Sequence, residues 1–293
     1  MCNIITHMDA DGVISAYLIV KYVEKPKRIY FSNPSIIKDS IARSILGEDN
    51  LDKLYILDIG GNEIALRLAA VYNRTIWIDH HQWAPIKHYD NVEIHIAYEP
   101  SAAAVIGNLY MIFDNMIEVA NNLDQNKPSN VREIKFRDMI SALRFYKGRA
   151  IEYALENLVY KMAEKDIDRI IEENNELIES FIDEIKKLEN EIKANTKKFI
   201  IKDYKVTVIE TKANIPVYKI QEIIDDDWDI LVVKFTRFNR EFVYTKLEFR
   251  SKGPDILKVA IPLGGGGHIK AAGASLKGII TLDQLLSALN IFL

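Results

Sequence analysis

Histidines and aspartates recur in this sequence where apolar runs end. Ile4 and Ile5 lead into Thr6-His7-Met8-Asp9-Ala10-Asp11-Gly12, Leu54 to Leu57 into Asp58-Ile59-Gly60, and Thr75 to Ile78 into Asp79-His80-His81. A further stretch, Val119-Ala120-Asn121-Asn122-Leu123-Asp124, also closes on a carboxylate. Carboxylates as close as Asp9 and Asp11 repel each other, so either one is protonated or a cation lies between them, and the repetition of the pattern favours the cation. A mixed set of carboxylate oxygens and imidazole nitrogens suits Mn²⁺ better than Ca²⁺, with Mg²⁺ as the alternative. Taken singly, each Asp is as well explained as a helix cap or turn residue. Taken together, His7, Asp9, Asp11, Asp58, Asp79, His80, His81 and Asp124 make one candidate metal site.

Other hydrolytic chemistries fit less well. No His-Glu-x-x-His is present and Cys2 is the single cysteine, which disfavours a zinc hydrolase; a Gly-x-Ser-x-Gly nucleophile elbow is missing too. A second feature is Gly264-Gly265-Gly266-Gly267-His268, where four glycines permit unusual backbone angles and close approach of amides to an anion. It lacks the Gly-Lys-Ser/Thr ending of a Walker loop. Arg250, Lys252, Lys258 and Lys270 lie near it in sequence and suit a phosphate-binding surface, the alternative being a flexible turn with solvated charges.

These residues need a scaffold that gathers strand ends. Continuous apolar strands at 4–6, 28–31, 53–58 and 75–78, separated by helical stretches at 13–23, 35–46 and 63–72, predict a parallel α/β sheet with both faces covered. Such sheets bind ligands at the carboxyl ends of their strands, where the Asp and His residues fall. Alternation over Val92–Ile96 predicts a more peripheral strand. Helical patterns follow over 101–117 and 129–160. Ile171, Ile178, Ile185 and Ile192 then recur every seven residues, which predicts one long helix with Asn174 interrupting the repeat. That helix either packs on the chain's own domains or forms a homodimer seam. Beyond it, Val- and aromatic-rich strands at 205–210, 229–235 and 241–249 alternate with short helices, one opening near Pro216 and one after Thr281. The expected fold class is α/β: a doubly wound parallel sheet in a metal-binding domain (1–160), a helical connector (161–196) and a smaller α/β domain with a mixed sheet (197–293).

At 293 residues the chain suits two cores, and with 48% hydrophobic and 27% charged residues it has an ordinary globular composition. A lone cysteine excludes a disulfide scaffold, and no apolar stretch is long enough to span a membrane, so a cytoplasmic protein is expected. The net charge of −4 provides no global basic field, so nucleic-acid binding would rest on local cations and bound metal.

With His7-Met8-Asp9-Ala10-Asp11-Gly12, Asp58-Ile59-Gly60, Asp79-His80-His81 and Gly264–Gly273 in this order, the chain resembles the DHH phosphoesterase family, with its DHH-associated C-terminal domain, over nearly its whole length. In size it is similar to nano-RNases and small archaeal RecJ-like nucleases. The resemblance implies two metal ions bridged by Asp58, one held also by Asp9 with His7, the other by Asp11, His80 and Asp124. It implies that Asp79 and His81 support the centre or contact phosphate. It also implies that Ser101 lies near substrate, and that Arg250, Gly265, Gly266, Gly267 and His268 hold a terminal nucleotide. The implied activity is Mn²⁺-dependent removal of nucleoside monophosphates from single-stranded DNA or RNA. Alternatives are hydrolysis of very short RNAs or linear or cyclic dinucleotides, or a catalytically weak scaffold with a replication or repair partner.

Overall fold

The computed structural model describes all residues except 48–50, 82, 84–86, 214 and 239–242, and the side chain at 149. Ile4 and Ile5 sit in β1 (Cys2–His7), which pairs in parallel with β2 (Arg28–Ser32) and β3 (Lys53–Leu57). β3 pairs with β4 (Arg74–Asp79), and β4 with β5 (Val92–Ile96), giving a parallel sheet of order β2-β1-β3-β4-β5. The peripheral strand is therefore an edge strand. The register matters most for function. Thr6 lies opposite Leu57 and Leu57 opposite Ile78, so the next residues, His7, Asp58 and Asp79, line up across three adjacent strands at their carboxyl ends.

Successive residues of a strand point to opposite faces. Ile5, Ile56 and Trp77 face α2 (Ile37–Leu46) and α3 (Glu63–Ala69), packing with Ile37, Ile41 and Leu66. Ile4, Tyr55, Leu57, Ile76 and Ile78 face the opposite layer. That layer is α1 (Ala10–Leu18), which continues as a π turn over Ile19–Val23, α4 (Ala102–Tyr110), α5 (Asn115–Asp124), α6 (Val131–Tyr146), α7 (Ile151–Glu164) and α8 (Ile167–Glu173). Each of these fully buried aliphatic side chains contributes about 1.5–3 kcal/mol relative to exposure, which fixes the strand ends as a rigid platform.

The helical stretches are more divided than expected. The pattern over 101–117 splits at Met111, whose left-handed conformation (φ 53°) ends α4. The long helix is interrupted at Asn174: its side-chain amide donates to Ile170 O (2.8 Å) at the end of α8, and α9 (Asn175–Ala194) starts anew. Two compact units result, 1–182 and 183–293, the division falling within α9. Among the described residues no helix is long and apolar enough to cross a membrane.

The second unit holds a mixed sheet of six strands, order β10-β11-β9-β8-β7-β6: β6 (Thr196–Ile201), β7 (Tyr204–Thr211), β8 (Ile230–Phe238), β9 (Val243–Ser251), β10 (Gly266–His268) and β11 (Ala271–Lys277). Only β7–β8 is parallel. Of the strand expected at 241–249, residues 241 and 242 lie outside the described residues. β6, β10 and β11 were not among the expected strands. One face packs Val206, Val208, Val232, Leu247 and Phe249 against α11 (Leu257–Ala260) and α12 (Leu282–Phe292); α10 (Val217–Ile223) opens after Pro216.

Candidate metal centre

Asp9 is the N-cap of α1 and accepts from Gly12 N (3.1 Å) through Oδ1, leaving Oδ2 for His7 Nδ1 at 2.7 Å. Gly12 is obligatory here, because a Cβ would meet His7 O at 2.3 Å. Asp58 leaves β3 with φ 57°, a left-handed conformation that Asp tolerates better than most residues. This turn aims its carboxylate between two histidines, with Oδ2 3.6 Å from His7 Nδ1 and Oδ1 3.5 Å from His80 Nε2.

Asp11, two residues into α1, is held from across the layer. Its Oδ2 and Oδ1 accept the amides of Ala102 (2.7 Å) and Ala103 (3.0 Å) in the first turn of α4, whose N-terminus favours a carboxylate. Ser101, fully buried, caps α4 by accepting from Ala104 N and donates to Asn121 Oδ1 (2.5 Å) on α5. α5 ends on Asp124, whose Oδ2 lies 3.7 Å from His80 Nε2; Asp11 Oδ2 is also 3.7 Å from it. The other nitrogen of His80, Nδ1, lies 3.2 Å from Glu99 O, which orients the ring so that Nε2 faces the carboxylates.

Asp58 therefore belongs to one trio and faces His80 of a second. The ligand atoms of His7, Asp9 and Asp58 lie within 4.8 Å of one another, as do those of Asp11, His80 and Asp124. All eight residues singled out from the sequence converge, Asp79 and His81 standing behind Asp58 with Asp79 Oδ1 2.7 Å from His81 Nδ1. Sequence reasoning missed Glu99, the amides of Ala102 and Ala103, and Trp83, which donates its indole N–H to Asp79 Oδ2 (2.7 Å). These contacts are tertiary and carry no local signal, apart from the closeness of Trp83 to Asp79.

The electrostatics record the crowding. Enclosure opposes charge on His7 and His80, but the carboxylates of Asp9 and Asp58 override it for the first and those of Asp58, Asp11 and Asp124 for the second. Both are held up at about 10. Burial and the neighbouring Asp58 push Asp124 up to about 6 and, with Asp124, push Asp11 well above the usual carboxylate range. Asp9 moves the other way: enclosure is outweighed by His7, which holds it far below that range.

This donor set fits divalent cations. Both oxygens of Asp58 are buried without a hydrogen-bond partner, an arrangement that native interiors avoid unless an ion or water completes it. The candidate ligands are carboxylate oxygens and imidazole nitrogens, the combination preferred by Mn²⁺ and tolerated by Mg²⁺.

Residues 2–133 match the DHH family, N-terminal domain. This stretch, somewhat under half of the chain, is similar to a DHH domain. It contains all the candidate ligands, from His7 to Asp124. Among solved structures, a pGpG-specific phosphodiesterase, PggH, from Vibrio cholerae superposes with a TM-score of 0.59 at 17% identity, covering 99% of this chain and 98% of that one. RecJ from Thermus thermophilus in complex with Mn²⁺ gives 0.56 at 13% identity, covering 94% of this chain but 49% of RecJ. An exopolyphosphatase-related protein from Bacteroides fragilis gives 0.51 at 15%, with 99% and 90% covered. At such identities the likeness is one of fold, and it extends beyond the matched residues through the second unit. Comparison with curated proteins gives no match.

In that second unit the glycine run is built rather than loose. Gly266↔Gly273 and Gly267↔Ala272 pair across β10–β11, and Ala271 pairs with Arg250 on β9, so Arg250 and Gly265–His268 share one edge region of the sheet. A Cβ on Gly265 would meet Gly273 O at 2.0 Å, and Gly264 and Gly267 have φ of 74° and 129°. Arg250 Nη1 lies 3.6 Å from Glu248 Oε2.

Proposed function

We propose that the chain is a metal-dependent phosphodiesterase that releases terminal nucleotides from short single-stranded oligonucleotides. The observation that carries this reading is the buried Asp58 carboxylate, its two oxygens directed to two separate trios of ligands. Asp58, with Asp9 and His7, would hold one Mn²⁺ or Mg²⁺ ion, and Asp58 with Asp11, His80 and Asp124 the other. When bound, such ions supply Lewis-acid polarisation of phosphoryl oxygens and acidify water. The chain's own residues do the rest. The α4 N-terminus fixes Asp11, and Ser101 ties that helix to α5 and hence to Asp124. Asp79 holds His81 by Nδ1, and His81, raised in pKa by that carboxylate although burial opposes it, offers a proton at Nε2 to a phosphoryl oxygen. Arg250, the glycines Gly265, Gly266 and Gly267, which let the backbone come close to an anion, and His268 form an edge that would hold the terminal nucleotide.

The end-to-end likeness to PggH supports a short substrate. Digestion of long single strands is the second reading, supported by the likeness to RecJ across 94% of this chain. The test is digestion, with Mn²⁺, of single-stranded DNA and RNA labelled separately at each end, beside a linear and a cyclic dinucleotide. Consumption of dinucleotides and short oligomers alone supports the first reading; stepwise shortening of long strands supports the second. If neither occurs while Mn²⁺ binds, the phosphodiesterase reading fails.

A further inference from the structure

Trp83 has no place in the set of ligands and phosphate contacts, yet its surroundings are specific. Its indole N–H donates to Asp79 Oδ2 at 2.7 Å, while Asp79 Oδ1 receives His80 N at 2.9 Å and His81 Nδ1 at 2.7 Å. Asp79 is fully buried, so these donors, from the backbone, an imidazole and an indole, replace its hydration and fix the plane of the carboxylate. Together they hold Asp79 below the usual carboxylate range against the effect of burial.

The indole is itself held in place. Its ring packs against Trp77 with centroids 5.2 Å apart at 53°, and Trp77 is anchored by donating its own N–H to Ile59 O (2.8 Å). The edge of the Trp83 ring lies against Gly61, where a Cβ would meet its Cη2 and Cζ3 at 2.7 Å. Ile59, Gly60 and Gly61 form the turn that follows Asp58. One side chain therefore bears on two turns: the turn behind Asp58, through Trp77 and Gly61, and the turn carrying Asp79, His80 and His81, through the hydrogen bond.

We propose that Trp83 is a positioning residue for the Asp79–His81 pair. It locks the Asp79 carboxylate so that Oδ1 remains available to His81 Nδ1 and His81 Nε2 is presented away from it. A carboxylate with one donor removed could turn about its Cβ–Cγ bond and exchange its oxygens between partners. With Trp83 in place that rotation costs a buried hydrogen bond. The part of this inference that concerns turnover rests on the phosphodiesterase reading; the part that concerns His81 does not.

The experiment uses the full chain and two variants, Trp83→Phe, which keeps an aromatic ring and deletes the N–H, and Gly61→Ala, which pushes the ring aside. Three measurements are made on each: Mn²⁺ affinity by calorimetry, ring ¹⁵N shifts of His81 by NMR, and kcat and KM on a dinucleotide. Both variants should move the His81 ring shifts, leave Mn²⁺ affinity within about threefold, and lower kcat on the order of tenfold with KM little changed, in the range seen when an outer hydrogen-bond partner is removed. Asp79→Asn gives a check that leaves Trp83 itself unaltered. Relative to the wild-type protein, one of the indole N–H resonances, that of Trp83, should move while those of Trp77 and Trp228 hold. Unchanged His81 shifts in Trp83→Phe, or a loss of turnover matched by equal losses in Mn²⁺ affinity and melting temperature, would overturn the proposal. Absence of any wild-type turnover would instead count against the phosphodiesterase reading, and the His81 shifts would still decide the role of Trp83.

Discussion

On one side of Asp58, His7 and Asp9 pair at 2.7 Å with 27% and 37% of their side-chain surfaces exposed. On the other, His80 stands 3.7 Å from Asp11 and Asp124, with the His80 and Asp11 side chains at most 2% exposed and that of Asp124 23%. The residue types are the same. The exposed trio has largely neutralised itself: a short contact holds Asp9 ionised and His7 protonated. In the buried trio the gaps of 3.5 to 3.7 Å are longer than a good hydrogen bond, and its carboxylates are forced toward protonation. A cation entering the exposed trio must displace an ion pair, whereas one entering the buried trio relieves repulsion. We expect the buried trio to fill first and more tightly.

The sharpest test removes the residue that stands between the trios. Asp58→Ala should lower turnover on the order of a thousandfold or more, since several kcal/mol of transition-state stabilisation are at stake. Calorimetry with Mn²⁺ should show both binding events weakened while the unfolding transition stays cooperative. If one full-strength site survives, Asp58 belongs to a single trio and the bridging assignment is wrong.

Metal removal and pH separate the trios next. His7 and His80 have folded values near 10 against 6.5 unfolded, so in the metal-free protein their contribution to stability is complete below about pH 6.5 and is lost as pH rises through about 10. Asp124, raised to about 6, contributes stability below about 3.8 that is lost as pH rises through 6; Asp11 acts in the same direction. All four weaken the metal-free protein as pH climbs, and each of the four groups must give up its proton before it can hold a metal. Mn²⁺ should therefore bind more tightly at pH 8 than at pH 6 with release of protons, measurable by calorimetry in buffers of different ionisation enthalpy. At a hundredfold excess over Kd it should add about 2.7 kcal/mol of stability, read as a rise in melting temperature over an EDTA-treated sample. Affinity that falls with pH would refute the protonated state ascribed to His7 and His80.

Much of this centre was legible because its residues end buried strands. A parallel strand closed on both faces reads as a continuous apolar run, so where the run stops at His7, Asp58 or Asp79 the sequence marks the carboxyl edge. The register of the sheet then follows from packing. Asp124 is harder to read because it ends a helix, and α5 is brought to the site by tertiary contacts, among them the Ser101–Asn121 bond and the packing of Met116, Ala120 and Leu123 in the core beside α1. The second unit was legible where β-branched residues dominate, as in β7 and β8, and obscure in β6, with two lysines, and in β10 and β11. Apart from His268, Leu276 and Lys277, the last two are built of Gly, Ala and Ser, small residues that pack little surface in a strand. They form strands because small residues let the chains approach: a Cβ on Gly273 would lie 3.3 Å from Leu247 O.

Gly12→Ala tests the exposed trio through the backbone. Its Cβ would strike His7 O at 2.3 Å, and the backbone shift that relieves it displaces His7 and the cap at Asp9 together. A loss of about 1–3 kcal/mol is expected, the usual cost of overpacking, with a weakened site at His7 and Asp9 and a retained site at His80. Melting and Mn²⁺ titration on the same sample check both.

The smallest effect is the most discriminating for the comparison of the trios. Asp9→Asn keeps a competent N-cap on α1, since Asn and Asp cap comparably, and removes only the charge that His7 faces. The pair is more than a quarter exposed, so the metal-free protein should lose at most about 1 kcal/mol. Asp124→Asn removes a carboxylate that its neighbours already push toward protonation, so at pH 7.5 the metal-free protein should hold or gain stability. Opposite signs in the two variants, measured by denaturant unfolding in EDTA, would fix the contrast between a self-neutralised and a repulsive half-site. Equal losses would mean that His80 depends on Asp124 as His7 depends on Asp9, and that the buried trio is an ion-paired cluster in its own right rather than one that awaits a cation.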